Sequence, residues 1–213
     1  MRAIIFANGS LGDAEAARSI VQTGDMIIAA DGGGDYCRQL DIKPHILIGD
    51  FDSLAPKELS AWERQGVQIV RHPERKNYTD LELALEYARE QGADEILVLA
   101  ALGARWDHTL ANLFLPVLAD LQRCSITLLD GRQEIHLIKG GETLEVHGAP
   151  GDTLSLIPLG GEALGVSTVC LEYPLQGETL HFGSTRGVSN VLLAKTAAVS
   201  LDQGLLLCVV IHQ

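Results

Sequence analysis

Short, almost uninterrupted apolar runs alternate with helical patterns over residues 1–130. The runs Ala3–Ala7, Met26–Ala30, Ile46–Ile48, Val67–Val70, Glu95–Ala100 and Ser125–Leu129 read as strands buried on both faces. Between them, helical spacing marks Asp13–Gln22, Asp35–Leu40, Pro56–Arg64, Thr79–Glu90 and His108–Leu121. The fourth is the clearest, because Leu81, Ala84, Leu85 and Ala88 share one face and Thr79-Asp80-Leu81-Glu82 has the form of a capping box. Strand–helix alternation with right-handed crossovers predicts a mainly parallel sheet with flanking helices.

After Asp130-Gly131 the period shortens. Glu134–Ile138, Glu142–Val146, Thr153–Pro158, Ala163–Leu171, Glu178–Phe182, Val191–Thr196 and Leu205–Ile211 are β-like segments. Turn signals at Gly140-Gly141, Pro150-Gly151-Asp152, Gly160-Gly161 and Gly183 separate them. With no convincing helix among them, they predict an antiparallel β-sandwich or barrel. The expected fold class is therefore α/β followed by an antiparallel β-sandwich, with domains at 1–130 and 131–213.

The 213 residues, 46% hydrophobic and 21% charged, describe an ordinary globular chain able to bury a core. A net charge of −12 argues against nucleic acid or an anionic membrane as partner. The same charge suits a cationic small molecule, and it leaves room for a nucleotide bridged to carboxylates by a divalent ion. Cys37, Cys124, Cys170 and Cys208 lack paired metal-ligand spacing, so neither a zinc site nor a disulfide framework is expected. No run reaches membrane-spanning length, and the apolar start Met1–Phe6 is too short for a signal peptide, which makes the cytoplasm the expected compartment.

Candidate chemistry gathers where the predicted strands end. Gly49-Asp50-Phe51-Asp52-Ser53 follows Ile46-Leu47-Ile48, placing two acids at the carboxyl end of a strand, where open α/β sheets bind ligands. On an extended segment both carboxylates face one way, toward a cation such as Mg²⁺, and Phe51 points away to pack. The plainer alternative is two turn aspartates. Asp31, Asp80 and Asp107 fall at comparable positions. For Asp80 the alternative is an acid favoured by the helix dipole, although Arg75-Lys76-Asn77-Tyr78-Thr79 supplies groups that suit phosphate. Arg105 suits bidentate phosphate binding and Asp107 a metal shell, against a surface Arg–Asp pair with a helix cap. His108 is either a ligand group or a helix-start residue, and Trp106 either core or a lid. Asp31-Gly32-Gly33-Gly34 is a glycine-rich turn able to bring backbone N–H groups to a ligand, and Asn8-Gly9-Ser10 is ambiguous in the same way.

Taken in order, these segments resemble the thiamine pyrophosphokinase (thiamine diphosphokinase) family. The matching stretches are Ala30-Asp31-Gly32-Gly33, Gly49 to Ser53, Lys76 to Asp80, Arg105 with Asp107-His108, and Ala111-Asn112-Leu113. Further along they are Gly151 to Pro158, Tyr173-Pro174-Leu175, and Gly183 to Asn190. The resemblance implies transfer of the β,γ-diphosphate of ATP to thiamine, giving thiamine diphosphate and AMP. It also implies an ATP- and Mg²⁺-binding catalytic domain, a thiamine-binding and dimerisation domain, and a homodimer with the site at the subunit interface. By position, Asp50, Asp52, Asp80 and Asp107 would surround Mg²⁺ with Asp31 close by, and Lys76 and Arg105 would contact phosphates. Gly32, Gly33, Thr79 and His108 stand in the nucleotide-binding stretches. Tyr173 would face the thiamine rings, and Ser189, beside Asn190 in the same binding stretch, would supply a hydroxyl that bonds thiamine, all three coming from the partner subunit. Two departures from the family pattern are Ala104, where Gly is common, and Asn77, where an acid is frequent. A pterin alcohol as acceptor, or a thiamine sensor without turnover, remains open at this point.

Overall fold

The structure, a computed structural model, describes residues 1–51, 56–73, 77–103, 105–118, 121 and 123–213. They divide into two units, Met1–Gly131 and Arg132–Gln213.

In the first unit six strands, β1 (Arg2–Phe6), β2 (Met26–Ala30), β3 (Ile46–Gly49), β4 (Gln68–Arg71), β5 (Glu95–Leu99) and β6 (Ser125–Asp130), run in the order β4-β3-β2-β1-β5-β6. Every pair along this path is parallel. The apolar runs are continuous because helices cover both faces of the inner strands. On one face Ile4, Phe6, Ile27, Ala29 and Leu47 pack with Ala17 of α1 (Ala14–Ile20), Cys37 of α2 (Gly33–Gln39), and Leu59 and Trp62 of α3 (Pro56–Arg64). The helix α4 (Asp80–Glu90) lies against β1, β2 and β3 and buries Leu81, Ala84, Leu85 and Ala88, the stripe expected from its spacing. Each buried leucine contributes about 1.5–3 kcal/mol. Thr79 caps this helix, its Oγ1 accepting from the Glu82 N–H at 3.2 Å. The chain builds outward from β1 to β4, then returns to β5 on the other side of β1. The strand order therefore reverses between β1 and β5, the position where a crevice opens beyond the carboxyl ends of such a sheet.

The helix α5 (Trp106–Phe114) ends seven residues short of the expected Leu121 and gives way to a 3-10 turn, Leu115–Val117. Pro116 explains the stop: it has no N–H to donate and its ring would clash with the carbonyl four residues back.

The second unit is antiparallel. β7 (Gln133–Lys139), β13 (Gln203–Ile211) and the first half of β9 (Thr153–Val169) form one layer. The end of β9, β12 (Thr196–Ser200) and β8 (Thr143–His147) form another. The short strands β10 (Glu178–Leu180) and β11 (Asn190–Val191) also pair with β9. A single core joins the layers, with Leu154, Leu156, Val166, Val199, Leu206 and Val210 within it. Two segments differ from the sequence expectation. Gly160-Gly161 does not divide two strands; β9 runs through it, and the register with β13 jumps there, from Leu205 opposite Leu159 to Gln203 opposite Leu164. The glycines thus make an irregular bend in one strand rather than a turn. The expected strand Val191–Thr196 is instead the end of β11 and the start of β12, with the bridging Leu192 and a bend at 193–195 between them.

Candidate active site

The crevice is built from the loops after β1, β2 and β5. The Ala7, Gly9 and Ser10 N–H groups donate to the carbonyls of Leu99, Ala100 and Leu102 at 2.9, 2.7 and 2.7 Å, so the first loop lies along the third. A Cβ on Gly9 would stand 2.5 Å from the carbonyl oxygens of both Ala100 and Leu102, closer than any side chain allows. On the other side, a Cβ on Gly33 would meet the Phe6 carbonyl oxygen at 1.9 Å. The glycine-rich turn therefore lets α2 start against the end of β1. The Tyr36 hydroxyl then donates to the Gly9 carbonyl at 2.6 Å and pins the first loop to α2. Asn8 reaches across, its Nδ2 donating to Asp31 Oδ2 at 2.8 Å.

These loops and the start of α4 enclose a cavity of about 300 Å³. Among the expected residues, Asp31, Thr79, Asp80, Arg105 and His108 line it. Gly32 and Gly33 stand next to it at the start of α2. Asn8, Tyr78 and Asn112 also line it; the sequence marks them only as members of longer stretches, not as site residues in their own right. Asn112 is buried and donates from Nδ2 to the Ala101 carbonyl at 2.6 Å, tying α5 to the loop after β5. For Asn8 a signal existed, its place directly past the first strand.

Asp50 and Asp107 are not among the cavity-lining residues. Asp50 is half-buried and follows β3, whose Ile48 carbonyl accepts from the Asp31 N–H at 2.8 Å. Phe51 is packed in the core, as expected, but its φ of 58° is left-handed. The chain is thus not extended there, and the alternation argument that pointed Asp50 and Asp52 the same way does not apply. Arg71 stacks over the Phe51 ring, 5.6 Å from its centroid. Asp52 and Lys76 lie outside the described residues, as does Ala104. Arg105 donates from Nε to Asp107 Oδ1 at 3.1 Å and from a terminal nitrogen to Oδ2. That pairing holds the exposed Asp107 carboxyl down at about 2. Among the described residues no three His, Cys, Asp or Glu side chains form a ready metal cluster.

In the second unit Tyr173 is 55% exposed. Asn190, 7% exposed, meets the Tyr173 backbone through both ends of its amide. Ser189 is exposed and left-handed at φ 61°, with its N–H donating to Ser155 Oγ at 3.0 Å.

Fold and site define a protein with an acid-lined crevice at the switch point of a parallel sheet, followed in sequence by an antiparallel β unit. Comparison with known proteins carries this further. A family model described as thiamin pyrophosphokinase, catalytic domain, matches residues 17–128, and one described as thiamin pyrophosphokinase, vitamin B1 binding domain, matches residues 134–206. The chain belongs to the thiamin pyrophosphokinase family. It is 28% identical over 182 residues to thiamine pyrophosphokinase of Bacillus subtilis, covering 85% of each chain. Against rice thiamine pyrophosphokinase 1 it is 28% identical over 173 residues, which is 77% of this chain and 65% of the rice protein. The solved structure of the Bacillus subtilis protein superposes with a TM-score of 0.88 at 25% identity over the whole of both chains. That of Geobacillus thermodenitrificans shares the fold, with a TM-score of 0.86 at 23% identity over 100% of this chain and 98% of the other.

Proposed function

We propose that this chain transfers the β,γ-diphosphate of ATP to the hydroxyl of thiamine, forming thiamine diphosphate and AMP. The observation that carries the reading is the cavity itself: Asp31, Asp80 and Arg105 line one space at the switch point, in a chain matched by family models over both units.

Attack by the thiamine oxygen on the β-phosphorus forms one P–O bond and breaks the bond from that phosphorus to the oxygen bridging to the α-phosphate. AMP leaves with the electron pair. The obstacle is charge, since the triphosphate must be neutralised before a hydroxyl can approach. Arg105 supplies a planar guanidinium for the phosphates and exchanges its pairing with Asp107 for them. The 11-residue helix α4 begins at the cavity, so its dipole and first N–H groups favour an anion there. Lys76 is the second cation proposed, and Thr79 and His108 complete the wall. Asp50 or Asp80 takes the hydroxyl proton.

Asp50, Asp52, Asp80 and Asp107, with Asp31 beside them, are the groups that would hold Mg²⁺. Their hard carboxylate oxygens fit that ion, which is commonly bound by one or two carboxylates plus substrate phosphates and waters rather than by an all-protein cage. When bound, Mg²⁺ neutralises triphosphate charge and polarises the phosphorus.

Tyr173 and Ser189 receive thiamine, with Asn190 beside them, and the Tyr173 ring faces the cationic thiazolium. These residues come from a second copy in a homodimer. Exposed apolar side chains support an interface: Tyr173, Phe182, Val188 and Leu193 in the second unit, and Trp106, Leu110 and Phe114 at four-residue spacing on α5. Cys37, Cys124, Cys170 and Cys208 form no disulfide and, among the described residues, no helix is long and apolar enough to cross a membrane. Free thiols accord with the cytoplasm as the site of the reaction.

The test is to incubate the chain with ATP, Mg²⁺ and thiamine and to follow AMP and thiamine diphosphate. Equal amounts of both are expected. Release of ADP, tight thiamine binding without AMP, or transfer to a pterin alcohol but not to thiamine would each overturn the reading.

A further inference from the structure

Residues 170–173 and 190–193 form a short antiparallel ladder. The Leu193 N–H donates to the Cys170 carbonyl, Leu171 bridges Leu192, and the Glu172 N–H donates to the Val191 carbonyl. In this register Tyr173 stands opposite Asn190, and the ladder goes no further, because Pro174 has no N–H and the left-handed Ser189 gives its N–H to Ser155. The Asn190 side chain takes over the role of a strand neighbour. Its Oδ1 accepts from the Tyr173 N–H at 3.0 Å, and its Nδ2 donates to the Tyr173 carbonyl at 2.7 Å. The same Oδ1 also accepts from the Val191 N–H at 2.9 Å.

An asparagine amide has two acceptor sites and two N–H donors. Three of the four are used on backbone, and the residue is only 7% exposed. Tyr173 has its backbone fixed at both N–H and C=O and is followed by Pro174, yet its side chain stays largely outside. An aromatic ring on a fixed backbone has only two torsions left to order when a ligand stacks on it, which lowers the entropy lost on binding.

We infer that Asn190 is a positioning residue that holds Tyr173 as a preset aromatic platform for thiamine, rather than a ligand of thiamine itself. The inference rests on the reading of Tyr173 as the thiamine-facing ring, and it gives Asn190 a definite role within the thiamine-binding stretch.

The experiment is a set of variants, Tyr173→Ala, Asn190→Ala, Asn190→Asp and the Tyr173→Ala/Asn190→Ala double, with kcat and the KM for thiamine and for ATP measured on each. Tyr173→Ala is expected to raise the thiamine KM about tenfold. Asn190→Ala is expected to raise it about fivefold, with the ATP KM held within about twofold. Asn190→Asp keeps both acceptor bonds but sets a charged oxygen against the Tyr173 carbonyl in place of the donor, so it is expected to raise the thiamine KM at least as much as Asn190→Ala. The double variant matches Tyr173→Ala alone, because a clamp on an absent ring has nothing to position. Effects that multiply in the double variant would show that Asn190 meets thiamine directly and would overturn the inference. An unchanged thiamine KM in Asn190→Ala, beside a raised one in Tyr173→Ala, would overturn the positioning role alone. An unchanged KM in Tyr173→Ala would remove Tyr173 from the site, and the inference with it. Should Asn190→Ala not fold, Asn190→Asp alone and with Tyr173→Ala carries the same comparison.

Discussion

Strand β2 starts just after Asp25 and ends just before Asp31, and these two carboxylates meet different surroundings at the two edges of one sheet. Asp25, at the amino edge, is 8% exposed and receives two hydrogen bonds from Arg2, from Nε and Nη2, both at 2.8 Å. The Gln22 N–H donates to it at 2.7 Å, and Arg2 also reaches the Ile20 carbonyl at 3.0 Å. At the carboxyl edge, Asp31 lines a cavity, and the Asn8 amide steadies one of its oxygens. Charge enclosed with its counter-ion builds structure, while charge presented to a cavity acts on whatever enters it. Sequence position alone separates the two roles, because connections at the carboxyl edge splay apart where the strand order reverses.

The strongest way to break this contrast is Asp25→Ala. Leaving the half-buried Arg2 without its carboxylate should cost about 2–3 kcal/mol in urea unfolding, while folded molecules keep their turnover. A loss below about 1 kcal/mol would show that the amino edge does not depend on the pair. Next comes Asp31→Asn, which keeps the shape of the side chain but removes its charge. Turnover should fall about 100-fold, with the unfolding midpoint nearly unchanged. Wild-type rates in this variant would take Asp31 out of the chemistry.

The smallest effect sharpens the contrast through pH. The Arg2 hydrogen bond, against the opposing cost of burial, holds the Asp25 carboxyl below its ordinary value. Its contribution to stability is therefore complete above the unfolded value of about 3.9 and fades as pH falls through the lower folded value. Asp25→Asn should flatten the acid limb of a stability–pH curve measured by denaturant titration. An unchanged limb would place the acid sensitivity elsewhere.

The sheet of the first unit was legible because buried parallel strands are simple apolar runs, and α3 falls on its expected bounds, Pro56–Arg64. Where reading failed, one local signal overrode another. Helical spacing carried α5 past Pro116, although that proline forbids continuation. Thr196–Ser200 was missed because Ala197 and Ala198 carry little strand preference; pairing with β8 and β9 makes it a strand. In the site, the acids at strand ends marked the edge where the cavity opens. The positive φ of Phe51 was hidden, since nothing in a bulky apolar residue announces a left-handed backbone. Asn190 was noticed for its place beside Ser189, but its attachment to Tyr173, 17 positions away, follows only from the folded ladder.

Strand β9 pairs with β10, β11, β12 and β13, and so belongs to every ladder among the strands β7 to β13 except β7–β13 and β8–β12. Its ladder with β13 runs from Gln203 to Ile211. The layer that contains β13 closes only once β9 and β13, roughly fifty positions apart, have both been made, and such distant pairing makes for slow folding. Neither side of β9 is a smaller protein in waiting.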